Sequence, residues 1–267
     1  MTASDDSEPS DERSDTDAVA SRRTGPGVRR PKPPADQPRI ALLNAAQSAA
    51  ETRANFRRVL DVDLVEFHAP SGEFPETLHY DGVVVTGSWA SVYWDREWIA
   101  RLKSWVGDAV KAGIPTLGVC YGHQLLADVL GGRVAAMDGY EIGYRTIEHD
   151  GENELLEGVD EQFVAFTTHS DRVVEAPPGA TVFAKNDYGI HGFRRGNAFA
   201  VQFHPEYDRE MAEHVTRRKE DQLSEEPLQA VLDGITDEAV EQARAAKTVF
   251  DNFLDIAAIH QPVRRRP

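Results

Sequence analysis

The chain has 267 residues, with 29 Lys and Arg against 45 Asp and Glu, giving a net charge of −16. That balance argues against a nucleic-acid binder, which needs basic groups for phosphate. It fits a strongly solvated, self-repelling surface of the kind a salt-rich cytoplasm would select.

No apolar run approaches the roughly 20 residues that span a bilayer. The start Met1-Thr2-Ala3-Ser4-Asp5-Asp6 lacks a signal-peptide pattern. Cys120 is the only cysteine, which predicts a reducing, cytoplasmic compartment.

Residues 1–38 read as a disordered tail. Asp, Glu and Ser dominate first, and Arg22 to Pro38 then brings Arg, Lys, Pro and Gly, with no apolar face to offset the ordering entropy. A solvated tail is the plainer reading and an interaction tail the alternative. One domain is expected over 39–260, with a frayed tail at 261–267.

Within the domain, Arg39 to Leu43 and Asp63 to Phe67 read as strands, separated by a helical spacing over 46–60. Asp81 to Val85 is a β-branched run suited to a buried parallel strand. Trp98, Leu102, Trp105, Val106, Ala109 and Val110 mark one face of a helix closed by Gly113. A strand over 115–120 follows, and then a helix over 121–130. Such alternation predicts an α/β fold, a mostly parallel sheet with helices on both faces. After Gly132 the pattern changes to short β runs at 144–147, 163–166, 181–184, 190–193 and 199–203, some of them antiparallel additions to the sheet. Residues 208–235 read as a charged helical insertion broken near Pro227. Thr236 is placed to cap a last helix carrying Val240, Ala243, Phe250, Phe253, Leu254 and Ala257.

Three stretches carry chemistry. In Gly118-Val119-Cys120-Tyr121-Gly122-His123-Gln124 a strand turns abruptly into a helix. Glycines two before and two after Cys120 suit so crowded a turn. The helix N-terminus favours thiolate over thiol, and the thiolate is the nucleophile. A buried structural cysteine is the competing reading. In Phe203-His204-Pro205-Glu206 a strand delivers a histidine whose orienting carboxylate sits two residues on. A surface histidine in a proline turn is the alternative there. Thr86-Gly87-Ser88-Trp89 follows a buried strand, so it lies at the carboxyl edge where α/β sheets place their sites. That turn can aim N–H groups at an oxyanion, though alone it reads equally as an ordinary turn.

Together these stretches resemble the class I glutamine amidotransferases, whose pattern is Gly-x-Cys-x-Gly-x-Gln followed by His-Pro-Glu. Gly118, Cys120, Gly122 and Gln124 match the first motif; His204, Pro205 and Glu206 match the second. Thr168-His169-Ser170-Asp171 is similar to the family's Ser-His-Gly-Asp segment. The glycine-rich turn departs, with Ser88 where the family often has a second glycine. The likeness covers roughly 39–206, and residues 249–254 are similar to the family's closing helix.

The resemblance implies a flavodoxin-like fold and a Cys120-His204-Glu206 triad that hydrolyses the side-chain amide of glutamine through a thioester. It implies an oxyanion hole from Tyr121 with Gly87 or Ser88, and glutamine held by Gln124 and the main chain of Thr168, His169 and Ser170. No metal or organic cofactor is expected. Among family branches the chain is most similar to stand-alone relatives of the GMP synthase amidotransferase domain. Ammonia would pass to an unknown acceptor or a partner synthetase, since no phosphate-cradling motif occurs. The alternatives are a γ-glutamyl peptide hydrolase of the same fold and a non-catalytic regulatory subunit.

Overall fold

Alternation along the first strand decides which side of the sheet each residue faces. In the computed structural model, which describes residues 37–151 and 153–259, β1 (Arg39–Asn44) sends Ile40 and Leu42 to one face and Ala41 and Leu43 to the other. All four are fully buried, because helices cover both faces. On the Ile40 face lie Phe56 of α1 (Ala49–Val59) and Phe250 and Phe253 of α7 (Thr248–Ile259). On the Ala41 face lie Ile99, Leu102 and Val106 of α2 (Glu97–Lys111) and Leu125 and Leu126 of α3 (Tyr121–Val129).

Five strands form the parallel half: β2 (Asp63–His68), β1, β3 (Gly82–Val85), β4 (Thr116–Val119) and β9 (Ala198–Val201). β8 (Gly189–Arg195) then pairs antiparallel with β9, followed by β7 (Thr181–Asn186), β5 (Arg133–His149) and β6 (Gln162–Glu175). The full order is β2-β1-β3-β4-β9-β8-β7-β5-β6. This is the α/β arrangement expected, with antiparallel additions in the C-terminal half.

Two expectations are corrected. The short runs at 144–147 and 163–166 belong to strands of 17 and 14 residues. Their apolar positions mark only the stretch over the core; beyond it, polar residues keep the pairing going, with a register shift between Ala136 and Glu141. The last helix is also not continuous. Thr236 accepts from the Ala239 N–H and caps only α6 (Asp237–Gln242); a 3-10 turn over Ala243–Lys247 precedes α7. The stripe is divided because Val240 packs beside Ile142 and Ile235, whereas Ala246 and Phe250 join the main core.

The charged segment forms α4 (Arg209–Arg217) and α5 (Glu225–Asp233). α5 has no buried residue, whereas α4 buries Ala212 and Thr216. No described helix is long and apolar enough to cross a membrane. The expected tails at 1–38 and 261–267 fall almost wholly outside the described residues.

Candidate active site

Cys120 sits between β4 and α3 with φ +54° and ψ −102°, the only non-glycine positive φ among the described residues. Such a conformation costs free energy and persists only where its surroundings enforce it. Neighbouring backbone enforces it here. A Cβ on Gly118 would lie 2.3 Å from the Gly122 carbonyl oxygen, and one on Gly122 would lie 2.3 Å from that of Val85. Cys120 donates its N–H to Val201 O (2.8 Å), which ties the elbow to β9, and its carbonyl accepts from Gln124 N.

The same β9 leads into the second motif. His204 N donates to Phe166 O at 2.8 Å, and His204 Nδ1 meets Glu206 Oε1 at 2.8 Å. Both side chains are buried. Nδ1 therefore carries the shared proton, and Nε2 is buried without a hydrogen-bond partner. Tyr207 stacks on the imidazole, with ring centroids 4.2 Å apart. Burial disfavours the charged ring, but the interactions with Cys120 and with the Glu206 carboxylate outweigh it and raise the His204 pKa to about 10. The imidazolium form thus prevails at neutral pH. Arg58 donates to the Glu206 carbonyl at 2.9 Å and pairs with Asp208 at 2.9 Å.

Gly87 brings the third stretch against the first two. A Cβ there would lie 2.9 Å from His204 Cε1 and 3.6 Å from Cys120 Cβ. The turn is held by Thr86, whose hydroxyl accepts from Ala45 N, and by Ser88, whose hydroxyl accepts from Ala90 N. Gly87, Ser88, Cys120, Thr168, His204 and Glu206 all border one cavity of about 320 Å³. The turn between α4 and α5 closes its far side.

Of the remaining candidates, Thr168 has its carbonyl 3.9 Å from Cys120 Sγ, and Ser170 is exposed. Gln124 lies behind the cavity wall, donating to Asp171 O (2.9 Å) and Gln202 Oε1 (3.1 Å). It braces β6 instead of bordering the cavity. His169 also turns inward: its Nε2 is 2.7 Å from Glu141 Oε2, and its Nδ1 is 2.9 Å from Asp171 O. His191 Nε2 reaches the same carboxylate oxygen at 3.1 Å, and Asn186 donates to the other at 2.7 Å. Burial works against the Glu141 charge, but the two histidines outweigh it and hold its pKa below the usual carboxylate range. Glu141, His169 and His191 are the group of metal-ligating types that comes together among the described residues. Protein donors already occupy both carboxylate oxygens, so a cation there would have to displace them.

The glutamine amidotransferase class-I family model matches residues 45–220. The chain belongs to that family. Within it, this amidotransferase domain is 36% identical over 126 residues to a GMP synthase of Thermomicrobium roseum, covering 47% of this chain and 23% of the relative. It therefore spans about a quarter of the length of the GMP synthases it matches. It is 31% identical over 164 residues to gamma-glutamyl peptidase 3 of Arabidopsis thaliana, covering 57% of this chain and 66% of the relative. A solved glutamine amidotransferase from Thermotoga maritima superposes with a TM-score of 0.70 at 22% identity, covering 81% of this chain and 98% of that one. That likeness places the amidotransferase domain in the flavodoxin-like fold of the family.

Sequence reasoning missed Glu141, His191, Arg58, Tyr207 and the cavity wall beyond α4. Tyr207 was within reach, being the residue after Glu206. Glu141 and His191 lie on different strands, and nothing in either local pattern pairs them.

Proposed function

We propose that this domain hydrolyses the γ-amide of glutamine with Cys120, His204 and Glu206 as its catalytic triad. The observation that carries the reading is the strained Cys120 elbow meeting a buried His204–Glu206 pair at one cavity. The Cys120 thiolate attacks Cδ of the substrate, and the carbonyl electrons move onto oxygen. The N–H groups of Tyr121 and of Gly87 or Ser88 receive that oxyanion. As the C–N bond breaks, His204 gives a proton from Nε2 to the departing ammonia, leaving a γ-glutamyl thioester. His204 then takes a proton from water, hydroxide adds to the thioester, and glutamate leaves as the thiolate returns. Glu206 holds the imidazole in the tautomer that presents Nε2.

A γ-glutamyl peptide shares every atom of this sequence except the leaving group. That second reading is favoured by the likeness to the Arabidopsis peptidase and by a cavity that extends past the triad to α4. In the first reading, a synthetase subunit is the partner class that would take the ammonia. Glutamate release by the purified chain, with Cys120→Ala beside it, tests the proposal. Cysteine-dependent release is expected, and release that survives the substitution would overturn it. Rates on γ-glutamyl dipeptides against glutamine decide between the two leaving groups.

A further inference from the structure

The far wall of the cavity comes from the turn that follows α4, where Arg218, Lys219 and Gln222 reach the same space as Cys120. Two of the charges there compensate each other: Arg218 lies 3.5 Å from Glu51, which also meets His214 at 3.4 Å. Lys219 differs. Its ammonium sits 4.9 Å from the centroid of the Tyr140 ring and 3.3 Å from Gln222 Oε1. Among the described residues no carboxylate lies within ion-pair distance of it. In a chain carrying 45 acidic residues, a half-buried lysine that lines a cavity without an ion pair is an unpaired positive charge.

A relay of contacts links Lys219 to the wall beside Cys120. Tyr140 Oη meets Thr168 Oγ1 at 3.2 Å, and the Thr168 carbonyl is 3.9 Å from Cys120 Sγ. Lys219 therefore stands one tyrosine ring beyond the strand that borders the sulfur. Lys219 and Cys120 border the same cavity, so a substrate whose γ-carbonyl is at Cys120 has room to extend its amino-acid head toward that wall. Given the hydrolytic reading above, we infer that Lys219 holds the α-carboxylate of the γ-glutamyl group and is a specificity-determining residue. The substrate class follows: free glutamine or compounds with an N-terminal γ-glutamyl group, both of which have an α-carboxylate. Glutamine inside a polypeptide lacks that carboxylate and is rejected.

The test compares glutamine with its α-carboxamide as substrates for wild type, Lys219→Gln and Lys219→Arg. Loss of a charge-assisted contact is worth about ten- to a hundredfold in affinity. Lys219→Gln should therefore raise KM for glutamine by about that factor, with the effect in KM and not kcat, and Lys219→Arg should recover most of it. On the α-carboxamide, wild type should already show the raised KM and Lys219→Gln should add nothing further. An equal loss on both substrates, or none on glutamine, overturns the assignment. If the wild-type chain releases no glutamate, the hydrolytic reading fails separately. The lysine is then read from the rate at which a diazoketone analogue of glutamine, with or without its α-carboxylate, alkylates Cys120. Slowing by Lys219→Gln confined to the carboxylate-bearing analogue supports the inference. Equal rates overturn it, and an absence of alkylation by either analogue overturns it together with the proposed function.

Discussion

His204 Nδ1 and Glu206 Oε1 lie 2.8 Å apart across a single proline, both buried, so carboxylate and imidazole are held in one relation by the backbone itself. Removing the carboxylate charge removes one of the two causes that keep the His204 pKa near 10. Glu206→Gln should lower kcat/KM by about a hundredfold or more. It should also move the alkaline limb of the pH profile to lower pH, because the imidazolium loses a partner. The folded-state pKa lies above the ordinary 6.5, so this pair stabilises the fold fully below that pH and less as pH rises toward 10. Melting curves from pH 6 to 10 should show that decline in wild type and a flatter profile in Glu206→Gln.

Gly87 offers a purely steric test. Its backbone is not in the left-handed region, so alanine is tolerated there, yet the added methyl would meet His204 Cε1 at 2.9 Å. Gly87→Ala should keep its circular dichroism spectrum while kcat falls about a hundredfold, the cost of displacing a reacting group by an ångström. Unchanged turnover would show that the imidazole can yield without loss.

The strain at Cys120 predicts a stability ranking among inactive variants. With φ +54° and ψ −102°, the residue is in a region that glycine enters freely and alanine does not. Cys120→Gly should therefore be more stable than Cys120→Ala by about 1 kcal/mol, as measured by urea unfolding. Equal stability would mean the elbow relaxes once the sulfur is gone.

Acid should destabilise the chain through its buried histidines. Burial lowers the His123 pKa from 6.5 to about 3, with its Nδ1 3.1 Å from Gln202 Oε1. Its contribution to stability is present above pH 6.5 and is lost as pH falls toward 3, because the unfolded chain takes up the proton first. Glu141, whose pKa is also lowered, adds a second loss below about pH 4.5. His123→Asn should flatten the melting temperature between pH 6.5 and 4, whereas Glu141→Gln should lower it throughout neutral pH because His169, His191 and Asn186 lose the buried carboxylate they share.

Both the parallel half of the sheet and the meeting of Cys120, His204 and Glu206 at one cavity were legible in the sequence, for related reasons. Parallel strands buried on both faces must be continuous apolar runs, so Val83 to Val85 and Leu117 to Val119 declare themselves. The elbow needs glycine at 118 and 122 whatever the chemistry, and that spacing marks Cys120 between them. The rest was illegible because its partners are distant. Glu141 looks like one more acid in an acidic chain until His169 and His191 are seen against it. Lys219 sits in a charged run that reads as a solvated face, and only the fold of α4 onto β5 turns it toward the cavity. The division of the last helix was hidden too, since a single stripe serves two cores.

The strand order has a consequence for synthesis. β9 lies between β4 and β8, so the edge of β4 has no partner until residues 198–201 have left the ribosome. An open parallel edge is a template for unwanted pairing, and contacts of such long sequence separation form slowly. A nascent chain carries Cys120 long before His204. The thiol is joined to His204 only as the central strand slots in, so completion of the sheet and arming of the site are one event in time.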